Sequence, residues 1–213
     1  MERIAELIHD WNQTDGSFKP ARPLQFDDET LRDGLQSPAV SDPTLDLKID
    51  LIERMNELGI HTANVGLPGA GGRPREDILR LARHIADNGL NIGVNVACRT
   101  VVSDIEPVVE MTQKAGIPIE VCAFIGSSYI RQYAEDWTLD RMLKNTRDAL
   151  TFARDHQLPV MYVTEDTTRA MPDTVRALYS TAIELGAKRL CVCDTVGHAT
   201  PPGAAAVVKF VRD

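Results

Sequence analysis

The sequence predicts an α/β protein built on a parallel sheet, and three observations carry that prediction. Short apolar runs alternate with longer amphipathic segments from about residue 22 onward, glycines stand where the amphipathic segments should stop, and polar clusters follow the apolar runs. Strand-like runs are expected at 24–29, 60–66, 91–97, 118–125, 159–164 and 188–194. Helical patterns are expected at 44–58, 74–88, 104–115, 138–157 and 172–186, with a last one beginning near Pro202. Strict alternation implies parallel pairing with right-handed crossovers, which leaves two architectures open: a doubly wound sheet or a barrel. No GxGxxG follows the first strand, so the usual dinucleotide fingerprint is missing.

In chain order, residues 1–21 read as an N-terminal helix (ERIAELIHDW) and a polar linker containing Gly16 and Pro20. Residues 22–213 then read as one barrel-sized or sheet-sized domain. Helix starts are signalled by Thr138 ahead of Asp140, by Asp173 after Pro172, and by carboxylates crowding several first turns. Helix ends are signalled by Gly59, Gly89, Gly116 and Gly186, each just before the next strand.

Composition narrows the function. With 213 residues, 43% hydrophobic and 25% charged, the chain can bury a sizeable core. A formal charge of -8 disfavours nucleic acid or an anionic membrane as the main partner, because both attract clustered Lys and Arg. Cys98, Cys122, Cys191 and Cys193 sit in or beside apolar runs, as reduced, buried thiols do, and point to the cytoplasm. No apolar stretch approaches the roughly 20 residues of a membrane span, and the acidic start is unlike a secretory signal.

Chemistry in parallel sheets belongs at the C-terminal ends of strands, and here those ends are loaded. Strand one runs into Asp28-Glu29-Thr30-Leu31-Arg32-Asp33-Gly34-Leu35-Gln36, strand two into Asn64-Val65-Gly66 and strand three into Cys98-Arg99-Thr100. Strand four ends in Gly126-Ser127-Ser128, strand five in Thr164-Glu165-Asp166-Thr167-Thr168-Arg169 and strand six in Asp194-Thr195-Val196-Gly197-His198. Any one cluster alone is also what turns and caps use. Six in register suit a hard divalent cation and an anionic oxygen substrate.

At these residues the sequence resembles the family of 2-isopropylmalate, homocitrate and citramalate synthases and, more distantly, 3-hydroxy-3-methylglutaryl-CoA lyase. Residues 28–36 resemble its opening D-x-T-L-R-D-G-x-Q signature. Asp194-Thr195-Val196-Gly197-His198-Ala199-Thr200-Pro201 resembles D-T-V-G-x-x-T-P, Glu165-Asp166-Thr167-Thr168-Arg169 resembles E-D-A-x-R, and Phe124-Ile125-Gly126-Ser127-Ser128 resembles F-I-A-T-S. The resemblance implies a TIM (β/α)8 barrel of which about six βα units are present. It implies an acyltransferase that uses a divalent metal (Mg, Mn or Zn) and acetyl-CoA to extend a 2-oxo acid, as a homodimer or higher homo-oligomer. Carried over, Asp33 is a metal ligand, Arg32 polarises carbonyl oxygens, Glu165 sits by the reacting carbon and Thr195 binds the substrate carboxylate. Gln36, Arg99 and Ser128 are further substrate-binding candidates at the mouth. The sequence departs from the family at Asn64, where glutamate is common, which bears on substrate choice.

The family's seventh-strand H-x-H pair, which supplies the other metal ligands, is expected beyond residue 213. Six units average about 32 residues, so two more would reach roughly the 250 residues typical of the fold. On that expectation the 213 residues alone are inactive. Two other readings remain: a retro-Claisen lyase of the 3-hydroxy-3-methylglutaryl-CoA type, and a non-catalytic binding or assembly subunit. Several motifs read as bland. The Cys191-x-Cys193 pair reads as core packing rather than half a metal site. Residues 67–72 (LPGAGG) lack the Gly-Lys-Ser/Thr of a phosphate loop and read as a flexible loop. His198 reads as a polar loop residue, and Asp28 is expected to bond the backbone at its strand end.

Overall fold

A computed structural model describes residues 22–213; the expected N-terminal helix and linker at 1–21 lie outside the described residues. Where apolar runs were expected, six strands form: β1 (Asp27–Asp28), β2 (Thr62–Asn64), β3 (Gly93–Arg99), β4 (Ile119–Gly126), β5 (Val160–Glu165) and β6 (Arg189–Val192). Each pairs in parallel with the next, so their spatial order is their chain order. That order decides between the two architectures left open by periodicity. A doubly wound sheet reverses its strand order at a switch point and takes helices on both faces. An order that never reverses, with right-handed crossovers, leaves the helices on one face and lets the other curl inward, as in part of a TIM barrel.

The helices are α1 (Leu45–Glu57), α2 (Gly72–Asp87), α3 (Val102–Ala115), α4 (Tyr129–Glu135), α5 (Leu139–Asp155), α6 (Pro172–Glu184) and α7 (Pro201–Arg212). Thr138 caps α5 as its position suggested, its hydroxyl accepting the Arg141 N–H at 3.2 Å. Gly116 ends α3 at φ 73°, and its N–H closes the last turn on Thr112. α4 was not expected. Its seven residues bury no side chain, so they carry no apolar period, and the helix is started instead by the Ser128 hydroxyl accepting from Arg131 N–H at 3.3 Å.

The two faces of the sheet differ in chemistry. Towards the helices, alternate residues such as Val96 of β3, Val121 of β4 and Tyr162 of β5 pack on Leu81 of α2, Val108 of α3 and Leu150 of α5, all fully or almost fully buried. Each such side chain contributes about 1.5–3 kcal/mol by leaving water. The opposite face is concave and mixed, with apolar residues such as Phe124 and Val163 beside a polar layer. Asn95 of β3 donates to Asp27 of β1 at 2.6 Å, passing over β2, and Arg189 of β6 donates to Glu120 of β4, passing over β5. Side chains two strands apart meet in this way only on an inward-curled face, as in barrel interiors layered by alternate strands.

The cysteine pair is placed differently from its packing reading. Cys191 and Cys193 do share one face, as strand alternation requires, but it is the concave face, away from Leu190 and Val192, which pack towards the helices. Both thiols are half-buried, with sulfurs 3.8 Å apart, whereas Cys98 and Cys122 are buried. Among the described residues no helix is long and apolar enough to cross a membrane.

Candidate active site at the barrel mouth

The first strand end is a tight turn built on Glu29. Its carbonyl accepts the N–H groups of Arg32 and Gly34, and Asp28 accepts the Thr30 N–H at 2.8 Å, the backbone role expected of it. The turn folds Arg32 back over Glu29: Nε and Nη2 lie 2.8 and 2.5 Å from Oε2. On its other side Nη1 donates to Asp33 at 3.0 Å and reaches Gln36 at 3.4 Å. Asn64 donates to the second Glu29 oxygen at 3.2 Å, so the residue at which the motif departs from the pattern it resembles anchors the carboxylate that orients Arg32. Burial holds the Glu29 carboxyl above its usual range against the opposing pull of Arg32 and Asn64. Asp33 is two-thirds exposed, with one oxygen on Arg32.

At the third strand, Arg99 grips Asp104 of α3 with two bonds of 2.8 Å while its guanidinium stays largely exposed at the rim. Hydrogen bonding from Arg99 keeps the buried Asp104 carboxyl below its usual range despite desolvation. The 67–72 loop closes on this pair. It contains a 3-10 turn, Pro68–Ala70, and a Cβ at Gly69 would lie 2.7 Å from the Asp104 carboxylate, so only glycine fits.

The fourth and fifth strand ends are knit together. Ser127 bonds the Glu165 carbonyl through both its N–H (3.0 Å) and its hydroxyl (2.8 Å). Ser128 is buried as the cap of α4. Arg131 lies across the end of β4 with Nη2 3.6 Å from the Glu165 carboxylate and 3.3 Å from Glu135. Gly126 permits this, since a Cβ there would sit 2.7 Å from Arg131 Nε and 2.9 Å from its Cβ. Arg131 went unnoticed in the sequence because its helix did, although a glycine in an otherwise apolar strand is a sign of close approach.

The fifth and sixth strand ends interlock through Asp166 and Asp194. Asp166 is buried, left-handed at φ 59°, and forked by Arg169 with two 2.7 Å bonds. Its N–H donates to Thr195 Oγ1 at 2.8 Å, which leaves the Thr195 hydroxyl proton free to donate elsewhere. Asp194 accepts from the Thr168 hydroxyl (2.7 Å) and from the N–H groups of His198 (2.9 Å) and Ala199 (3.1 Å). Arg169 and Thr168 respectively are the leading causes that hold these two carboxyls below their usual range. His198 is an exposed loop residue.

The structure therefore joins Arg32, Asp33 and Gln36 in one contact set, and links Glu165 and Ser128 through Ser127 and Arg131. Thr195 belongs to the Asp166 knot. Arg32 and Glu165 are both close enough to the Cys193 thiol to act on it, in opposite directions. Arg99 is instead tied to Asp104. A cleft of about 210 Å³ opens beside Arg32, Gln36 and Leu67, walled by Lys48. Lys48 is almost buried and pairs with Asp42 (2.8 Å) and Asp77 (2.7 Å). Burial depresses its ammonium, but the two carboxylates outweigh that and raise it overall. Sequence offered no hint of this, because Lys48 occupies an ordinary polar position of an amphipathic helix. Among the described residues no three His, Cys, Asp or Glu side chains are grouped as a metal site, and Asp33 offers a single hard oxygen ligand.

The HMGL-like family model matches residues 23–213. A homocitrate synthase of Methanocaldococcus jannaschii is 29% identical over 188 residues, covering 87% of this chain and 44% of the relative. A 2-isopropylmalate synthase of Sulfolobus acidocaldarius is 32% identical over 182 residues, covering 85% and 45%. Among solved structures, an HMG-CoA lyase from Brucella melitensis superposes with a TM-score of 0.66 at 19% identity, covering 90% of this chain and 68% of that one. The hydroxymethylglutaryl-CoA lyase of Pseudomonas aeruginosa gives 0.67 at 18%, covering 88% and 63%. The chain spans less than half the length of these two synthases. At such identities the likeness to the lyases shows the fold alone.

Proposed function

This chain belongs to the HMGL-like family, and on that premise we propose that its barrel mouth joins acetyl-CoA to a 2-oxo acid by Claisen condensation followed by thioester hydrolysis. The observation that carries this reading is Arg32, held on Glu29 and turned toward Asp33 and Gln36 at the rim. The sequence relatives, named as synthases, support condensation over cleavage.

Asp33 would be this chain's ligand to a divalent cation, Mg, Mn or Zn, which when bound supplies Lewis-acid polarisation of the keto group. Arg32 donates to the oxygens on which negative charge grows as the new carbon–carbon bond forms. Because Glu29 and Asn64 fix the guanidinium in advance, little reorganisation is needed at that moment. Glu165, beside Arg131, borders the reacting carbon and shapes the oxo-acid pocket or takes up the thioester methyl proton. Thr195 donates its free hydroxyl proton to the substrate carboxylate. Gln36 and Arg99 offer polar contacts at the rim, and Ser128 holds the start of α4. A cytoplasmic homo-oligomer belongs to the same reading, in keeping with the acidic charge and the four free cysteines.

The test is to incubate the full-length protein with acetyl-CoA, a divalent metal and a panel of 2-oxo acids and to follow free CoA by chromatography. CoA release that depends on one oxo acid is expected, with R32A lowering kcat/KM by about 100-fold or more at unchanged circular dichroism. No release with any oxo acid refutes the reading. Cleavage of 3-hydroxy-3-methylglutaryl-CoA in its place would make the protein a lyase.

A further inference from the structure

We propose that Cys191 and Cys193 form a dithiol site on the concave floor beneath the mouth, and that a peroxide-class oxidant closes it into a disulfide. The two sulfurs are already in contact at 3.8 Å, on one face and half-buried. A strand rise of about 3.3 Å per residue puts their Cα atoms roughly 6.6 Å apart, within the span that disulfides bridge. Closure requires the sulfurs to approach by a further ~1.8 Å. Cys193 can supply most of that movement. Cys191 is paired in the ladder with Val163, whereas Cys193 lies beyond Val192, the last paired residue of β6, and is held by a single N–H bond to the Thr167 hydroxyl at 2.9 Å.

The pair is also the selective target in the chain. Cys98 and Cys122 are buried, and burial pushes both thiols up, so neither offers an exposed thiolate. Hydrogen bonding from Cys193 pulls the Cys191 thiol down, and the 3.8 Å contact lets either sulfur resolve an attack begun by the other. One thiolate attacks one peroxide oxygen, the O–O bond breaks, and hydroxide leaves and takes up a proton to become water. The other sulfur then displaces the second oxygen from the sulfenic acid, also as water. Two thiols and one peroxide thus give one S–S bond and two waters; the sulfurs lose two electrons and the peroxide gains them.

Drawing Cys193 inward moves the residues that follow it. Asp194 and Thr195 tie the sixth loop to Thr168 and Asp166. Disulfide formation therefore displaces Thr195, and the loss of oxo-acid affinity that follows rests on the function proposed above.

The test treats the reduced protein with hydrogen peroxide, alkylates free thiols and digests with trypsin. Cleavage after Arg189 and Lys209 releases both cysteines in one peptide, residues 190–209. The expected product is that peptide unalkylated and lighter by about 2 Da, the mass of the two hydrogens lost, with double alkylation restored by dithiothreitol. C191S and C193S should each abolish the mass loss. A peptide that still takes two alkyl groups after peroxide treatment, or a disulfide joining either residue to Cys98 or Cys122, overturns the proposal. In the condensation assay the oxidised protein should lose activity by about tenfold or more and regain it on reduction. An active enzyme indifferent to the disulfide overturns the link to Thr195. If the reduced protein has no activity while the disulfide forms, the proposed function fails and the dithiol site stands.

Discussion

Replacing Asp166 with asparagine tests whether the knot between the fifth and sixth strand ends is electrostatic. Asn tolerates the left-handed backbone at this position as Asp does, and the backbone N–H to Thr195 is retained, so D166N changes the side chain alone. The carboxylate is buried and receives two 2.7 Å bonds from Arg169. An amide oxygen can keep one of these, while the amide N–H2 opposes the other guanidinium nitrogen. One charge-assisted bond lost from a buried site costs about 2 kcal/mol, because such bonds contribute roughly 1.5–3 kcal/mol each. For a chain of this size that is a fall of about 4–8 °C in Tm. The sign of the pH dependence follows from the direction of the shift. The folded carboxyl is held below its ordinary value, so its contribution is complete above the unfolded value of about 3.9 and is lost as pH falls through the lower folded value. Urea unfolding followed by circular dichroism should therefore separate wild type from D166N at pH 7, and the gap should close toward pH 3. D166N within about 0.5 kcal/mol of wild type at pH 7, or a gap of equal size at both pH values, refutes the electrostatic account.

Two further substitutions test the packing beneath the site. K48M removes the cation shared by Asp42 and the mostly buried Asp77, and should destabilise the fold by about 3 kcal/mol in urea unfolding. Because the folded Lys48 is raised, wild type should keep this contribution at neutral pH and lose it only as pH climbs through the folded value; a K48M protein as stable as wild type at pH 7 would show the cluster to be neutral. Y162F deletes a fully buried hydroxyl bonded to Thr146 at 2.7 Å, while Thr146 keeps its bond to the Met142 carbonyl. A loss of about 1 kcal/mol and 2–4 °C in Tm is expected by calorimetry.

The elements readable in the sequence were those whose signal is local. β4 and α5 announce themselves by an apolar run and by a capped amphipathic period, and both form within a residue or two of the expected bounds. The polar turn at 28–36 was equally legible, because Asp, Arg, Gly and Gln in succession cannot belong to a strand interior. Strand order was not legible, since periodicity is the same in a barrel and in a doubly wound sheet, and only pairing distinguishes them. The supports of the site were hidden for the same reason. Asn64 meets Glu29 across 35 residues, and Arg189 meets Glu120 across 69.

One of these long-range pairs did leave a trace. A strand covered on both faces should be apolar throughout, yet IEVCAFIG carries Glu120 and RLCV carries Arg189. A lone charge at such a position requires a partner in another strand, because burying it unpaired costs far more than a surface charge does. The concave curl supplies that partner by bringing strands two apart within reach, and the same curl brings Glu165 and Arg32 both close to the Cys193 thiol. The polar residues of β4 and β6 thus depend on the sheet's curvature. A variant that neutralises Glu120 alone strands Arg189 on the concave face, whereas exchanging both for apolar side chains of similar volume should leave the fold intact.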